Sequence, residues 1–87
     1  MNEYNIKLFG IGSSKYRNLM NNVRIAIEDL GIDATIESVQ DIEAFINYNI
    51  QAIPTLMINN KIEIIGRGAE VQELKRIFQT PRQNLIH

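Results

Sequence analysis

The sequence predicts one α/β domain with the element order β-α-β-α-β-β-α, a four-stranded mixed sheet with helices on both faces. Three observations predict it. The apolar pattern switches repeatedly between a period of two and a period of 3.6. Glycine, proline or a pair of asparagines stands at most of those switches. The chain has 87 residues, 45% of them apolar, enough for one core and no more. The domain is expected to span residues 1–79, with residues 80–87 as a flexible tail.

Each element follows from a local pattern. From Tyr4 to Phe9, Tyr4, Ile6 and Leu8 alternate with Asn5 and Lys7, which is a strand. Gly10-Ile11-Gly12 breaks it, and Ser13 and Ser14 both suit a helix N-cap. A helix over Ser14 to Leu30 then places Tyr16, Leu19, Met20, Val23, Ala26, Ile27 and Leu30 on one stripe, with Ile25 off it. Gly31 suits the left-handed position that ends a helix. Asp33 to Val39 is a strand with Ala34 and Ile36 on one face. Asp41 caps a short helix carrying Ile42, Phe45 and Ile46, and residues 47–53 form a loop. Thr55 to Ile58 and Lys61 to Ile65 are strands joined by Asn59-Asn60, a hairpin turn because asparagine tolerates positive φ. After Gly66-Arg67-Gly68, a last helix from about Ala69 to Gln79 aligns Val71, Leu74, Ile77 and Phe78, and Pro81 ends it. A helical crossover makes the first two strands parallel, whereas the final hairpin is antiparallel.

Composition removes whole classes of function. With no cysteine there is no disulfide staple, thiolate zinc site, iron–sulfur cluster or thiol catalysis, and no cofactor is expected. The one histidine is the last residue, His87. Nine basic against ten acidic side chains leave a formal charge of −1, a poor match to a phosphate backbone, so nucleic acid is not an expected partner. No apolar run approaches the length that spans a bilayer, so membrane insertion is not expected either. The first residues lack the basic and apolar regions of a secretory signal, so a cytoplasmic location is expected.

Chemistry has two places to sit. One is the turn into the first helix, Gly10-Ile11-Gly12-Ser13-Ser14-Lys15-Tyr16, where unpaired N–H groups carry partial positive charge. The other is Ala52-Ile53-Pro54-Thr55, where a proline ahead of an apolar strand can hold a cis bond. These segments, the Asp41-Ile42-Glu43 helix, the Asn59-Asn60-Lys61 hairpin and Gly66-Arg67 together resemble the small thioredoxin/glutaredoxin-like proteins of the redox-active disulfide type, over about residues 4 to 78. The resemblance implies a thioredoxin-like fold, with Pro54 matching the family's cis-proline. It implies a Cys-Pro-x-Cys turn, commonly with lysine third. Here those four places hold Ser13, Ser14, Lys15 and Tyr16, a degenerate motif with neither cysteine nor proline. A serine hydroxyl cannot replace a thiolate in disulfide exchange, and Tyr16 cannot resolve a mixed disulfide.

Three functions remain open on this reading. The first is a redox-inactive module that binds a protein or an extended peptide at one end of the fold. It would use Ile11, Gly12, Tyr16, Tyr48, Ile53, Pro54, Gly66 and Arg67, with the main chain of Ile53 pairing to the peptide. Ile11, Tyr48 and Ile53 should then lie near one another, and the chain would be a monomer or a weak homodimer. The second is a small-anion or metabolite binder at the helix N-terminus, using Lys15 and Arg67. The Gly10-x-Gly12 turn lacks the third glycine of a dinucleotide fingerprint and the Gly-Lys-Ser/Thr context of a phosphate loop. The third is a residual thiol–disulfide role with a thiol borrowed from glutathione or a partner, implied by the resemblance alone. Each residue also has a plain structural use. Ser13 and Ser14 are caps, Tyr16 is part of the apolar stripe, Lys15 and Arg67 are solvated charges, and Pro54 shapes the start of a strand. A catalytic serine would need a base and an orienting acid, and the only histidine lies in the tail.

Overall fold

The computed structural model describes residues 3–80. Its elements follow the predicted order: β1 (Glu3–Phe9), α1 (Ser14–Leu30), β2 (Asp33–Val39), α2 (Ile42–Asn47), β3 (Thr55–Ile58), β4 (Lys61–Ile65) and α3 (Val71–Gln79). The sheet order is β2-β1-β3-β4. β1 and β2, linked through α1, are parallel, while β3 is antiparallel to both β1 and β4. The expected tail lies outside the described residues from 81 onward. No helix among the described residues is long and apolar enough to cross a membrane.

The side-chain period of two divides the sheet into two faces. Ile6 and Leu8 of β1, Leu56 and Ile58 of β3, and Ile64 of β4 point to one face. There they meet Tyr16, Leu19, Val23 and Ala26 of α1 and Leu74 and Phe78 of α3. Fully burying each large apolar side chain contributes about 1.5–3 kcal/mol, so this layer dominates the stability. The Tyr4 ring meets Phe78 edge-on at 5.3 Å and its hydroxyl donates to the Phe78 carbonyl at 3.2 Å, seating α3 on the sheet. The other face is thinner. Phe9, Val39 and Met57 pack there beneath Ala44 and Phe45 of α2 and Ile50.

The turns form for the reasons the sequence suggests. Gly31 ends α1 at φ 63°, and its N–H donates to the carbonyls of Ile27 and Glu28. Asn59 and Asn60 both take positive φ, and the Asn59 side chain also accepts the Asn5 N–H at 2.8 Å, tying the hairpin to β1. One detail differs from expectation. α3 begins at Val71, because Glu70 is still extended and acts as the N-cap without a side-chain bond. Of the three large apolar residues that α2 carries, Ile42 and Ile46 are 69% and 71% exposed. A six-residue helix over a core of three buried side chains has room to turn only Ala44 and Phe45 inward.

Candidate functional site

The N-terminus of α1 is built by Ser13. Its backbone is extended (φ −80°, ψ 170°), so its hydroxyl oxygen accepts the Tyr16 N–H at 3.3 Å and its carbonyl accepts the Arg17 N–H at 3.0 Å. Ser13 is therefore the cap, and Ser14, equally eligible from sequence, is the first helical residue. Arg17 reaches back to the Gly12 carbonyl at 2.6 Å. The two serines should separate in a stability measurement. Ser13→Ala is expected to cost about 1 kcal/mol through loss of the cap. Ser14→Ala should leave the thermal midpoint nearly unchanged.

Tyr16, one turn along, is 5% exposed. Its ring closes on Gly10, just past the end of β1, so that a Cβ built on Gly10 would stand 2.5 Å from Tyr16 Cδ1. Gly10 is thus a close-approach glycine and owes nothing to a phosphate. The Tyr16 hydroxyl hydrogen-bonds the Ser38 hydroxyl of β2, which also accepts from Gln40 Nε2 at 3.4 Å. The parallel register that sets Leu8 beside Ser38 supplies this side-chain partner. Ser38 and Gln40 escaped the sequence reading because only the strand register brings them to Tyr16.

The loop before β3 meets this helix end. The Ile53–Pro54 bond is cis. Two bonds brace the loop from behind: Thr55 Oγ1 donates to the Ala52 carbonyl at 2.6 Å, and the Gly66 N–H donates to the Pro54 carbonyl at 2.7 Å. Gly66 has φ 70°, and a Cβ there would come within 3.0 Å of Ala52 Cβ, so only glycine suits both its conformation and its surroundings. Ile11, Ser13, Ser14, Lys15, Tyr16, Ile53 and Pro54 together line a cleft of about 340 Å³. Ile11 is 56% exposed and Ile53 37%.

Two residues expected in this constellation lie elsewhere. The Tyr48 ring rests on Phe9 with centroids 5.2 Å apart, with the Lys7 ammonium 6.0 Å from its centre, on the face that α2 covers. It does not line the cleft with Ile11 and Ile53. The reason is the loop: Tyr48 closes α2, and the Ile50 N–H returns to the Phe45 carbonyl at 2.8 Å, holding this segment over the second core. Arg67 lines a separate groove of about 490 Å³ between α1 and α3, together with Lys15, Asn18, Asn22 and Glu73. Its guanidinium grips the Glu73 carboxylate with two bonds of 2.7 and 3.1 Å, so its charge is already matched. That pairing weakens an anion pocket built on Lys15 and Arg67.

The Arg67 hydrogen bonds, with a smaller Coulombic share, hold the Glu73 carboxyl below its ordinary value and raise the Arg67 guanidinium. A lowered carboxylate stabilises the fold above its unfolded pKa, and this is lost as the pH falls through the folded value. Arg67 stays charged throughout. The acid limb of the stability–pH curve, below about 4.5, should therefore flatten slightly in Glu73→Gln. The change should shrink at high salt, because the pair is largely exposed. Thermal melts from pH 3 to 7 at two salt concentrations would check this.

A capped helix N-terminus facing a cis-proline loop, at one end of a mixed sheet flanked by helices, defines the class: a thioredoxin-like α/β domain. A family model described as a thioredoxin domain matches residues 4–79. The chain is 32% identical over 73 residues to a thioredoxin of Methanothermobacter thermautotrophicus, covering 84% of this chain and 95% of the relative. It is 33% identical over 70 residues to a thioredoxin of Methanocaldococcus jannaschii, covering 80% of each. This chain belongs to the thioredoxin family. It does so without a single cysteine. Disulfide exchange begins with a thiolate, and no side chain of this protein supplies one.

Proposed function

We propose that this protein is a redox-inactive thioredoxin-like module, not itself an enzyme, that docks an extended segment of a partner protein along the cleft between α1 and the Ile53–Pro54 loop. One observation carries the reading. No hydrogen bond within the described residues engages the main-chain N–H or carbonyl of Ile53, which borders a cleft with exposed Ile11 and Ile53 side chains. A free main-chain donor and acceptor beside the cis-proline can pair with a strand-like peptide, and adjoining apolar side chains give that pairing affinity. Gly66 and Thr55 keep the loop braced, so little ordering cost falls on binding.

Amide chemical shifts recorded during titration with extended peptides test the reading. The expected result is perturbation at Ile11, Tyr16 and Ile53. Silence at all three with every peptide, together with an empty co-purification from the native host, would reject it. The catalytic alternative is tested by insulin reduction with glutathione present. No signal above the protein-free control is expected, and a clear signal would mean that a borrowed thiol works in this cleft.

A further inference from the structure

We infer that the docked segment is acidic: an extended peptide that sets a glutamate or aspartate against Lys15 and an apolar side chain between Ile11 and Ile53. The inference rests on the docking reading above and adds the partner's chemistry. Among the residues that line the cleft, Lys15 is the only charged one. No ion pair or hydrogen bond engages its ammonium within the described residues. The neighbouring cations differ. Arg17 is held by the Gly12 carbonyl and Arg67 by Glu73.

The placement of Lys15 also runs against the chemistry of its own helix. The first turn of a helix favours acidic side chains, because its unpaired N–H groups carry partial positive charge. α2 and α3 obey, with Glu43 and Glu73 in their first turns. α1 has no acidic residue there and carries Lys15 instead. Lys15 also borders the groove that holds Glu70 and Glu73, but Arg67 already grips Glu73 and no ion pair among the described residues reaches Lys15. The cleft itself supplies no anion, and breaks of a local rule concentrate at functional sites. A peptide carboxylate would supply the missing charge.

The test uses capped six-residue peptides of valine and threonine with a single glutamate moved through each position, alongside glutamine and lysine twins. Binding is followed by amide shifts of the whole chain. The best glutamate peptide should bind about three- to tenfold more tightly than its glutamine twin, the range for one exposed ion pair reinforced by a helix terminus. The advantage should shrink as salt rises. It should vanish in Lys15→Gln and turn in favour of the lysine twin in Lys15→Glu, with Ile11 and Ile53 perturbed in every case. Equal affinity for all three peptides, with Ile11 and Ile53 still perturbed, overturns this inference and leaves the docking reading standing. No perturbation by any peptide removes the docking reading itself. Inorganic phosphate or acetate that reproduces the Ser14 and Lys15 shifts at the same concentration as the peptides also overturns the inference, in favour of a free anion.

Discussion

Gly10→Ala is expected to destabilise the domain by about 1–3 kcal/mol, the usual range for forcing one extra carbon into a close-packed interior. The alanine methyl would stand 2.5 Å from Tyr16 Cδ1, inside any allowed carbon–carbon contact. Relief by a small side-chain adjustment is barred, because Tyr16 is 5% exposed and its hydroxyl is tied to Ser38. For a domain of this size each kcal/mol lowers Tm by about 4–8 °C. A protein of this length holds only about 4–13 kcal/mol in total, so the loss is a large fraction. The mechanism predicts a specific non-additivity. Tyr16→Ala alone is costly, of the order of 3–5 kcal/mol for a large aromatic truncated in a core. In that background Gly10→Ala should cost almost nothing, since the atom it collides with is gone. A double-mutant cycle by urea denaturation measures the coupling. Simple additivity would show that Gly10 matters for its backbone and not for the approach of the ring.

That contact lies beyond what a repeating sequence pattern encodes. The stripe from Tyr16 to Leu30 places Tyr16 on the buried face of α1, and the alternation of Tyr4, Ile6 and Leu8 marks β1, because both patterns are repeated by many residues. The wedge of Tyr16 against Gly10 depends on how far one helix slides along one strand, which no periodicity encodes. Ser38 is in the same position. It lies one residue from Val39, an unremarkable polar residue in a strand, until the parallel register brings it within reach of the Tyr16 hydroxyl. Tyr48 and Arg67 illustrate the converse error. Both stand near the right loops in sequence, but each is drawn off by a stronger local partner, the Phe9 ring and the Glu73 carboxylate. Local patterns singled out the turn at residues 10–16 and the loop at residues 52–55 separately, and only the resemblance to a thioredoxin-like family put them at one end of the fold. Neither could weigh the interactions that compete for a side chain.

The scaffold's chemistry can be tested by returning the missing atoms. Ser13→Cys places a thiol at the N-cap of α1, beside the helix N–H groups and the unpaired Lys15 ammonium. Positive surroundings favour the thiolate, so its pKa should fall from about 8.5 toward about 7. At neutral pH that raises the reactive fraction from a few per cent to about half. The rate of alkylation by iodoacetamide against pH reads this directly, and an ordinary thiol pKa would mean that Ser13 lies outside the field of the helix. Turnover needs a second thiol to resolve the mixed disulfide. Ser13→Cys with Tyr16→Cys supplies it from three residues along the same helix. The pair should gain insulin reduction with dithiothreitol as the electron source, where the parent chain gives none above the control. The second substitution removes the ring that fills the space over Gly10 and the bond to Ser38, so the double variant should melt well below Ser13→Cys alone. Adding Gly10→Ala should cost that variant almost nothing further, because the methyl no longer meets a ring. Gain of reduction in the folded double variant, with none in the single one, would show that this protein kept the geometry of disulfide exchange and gave up only the sulfur. A folded double variant that stays inert would show that the cleft itself has been reshaped for another use.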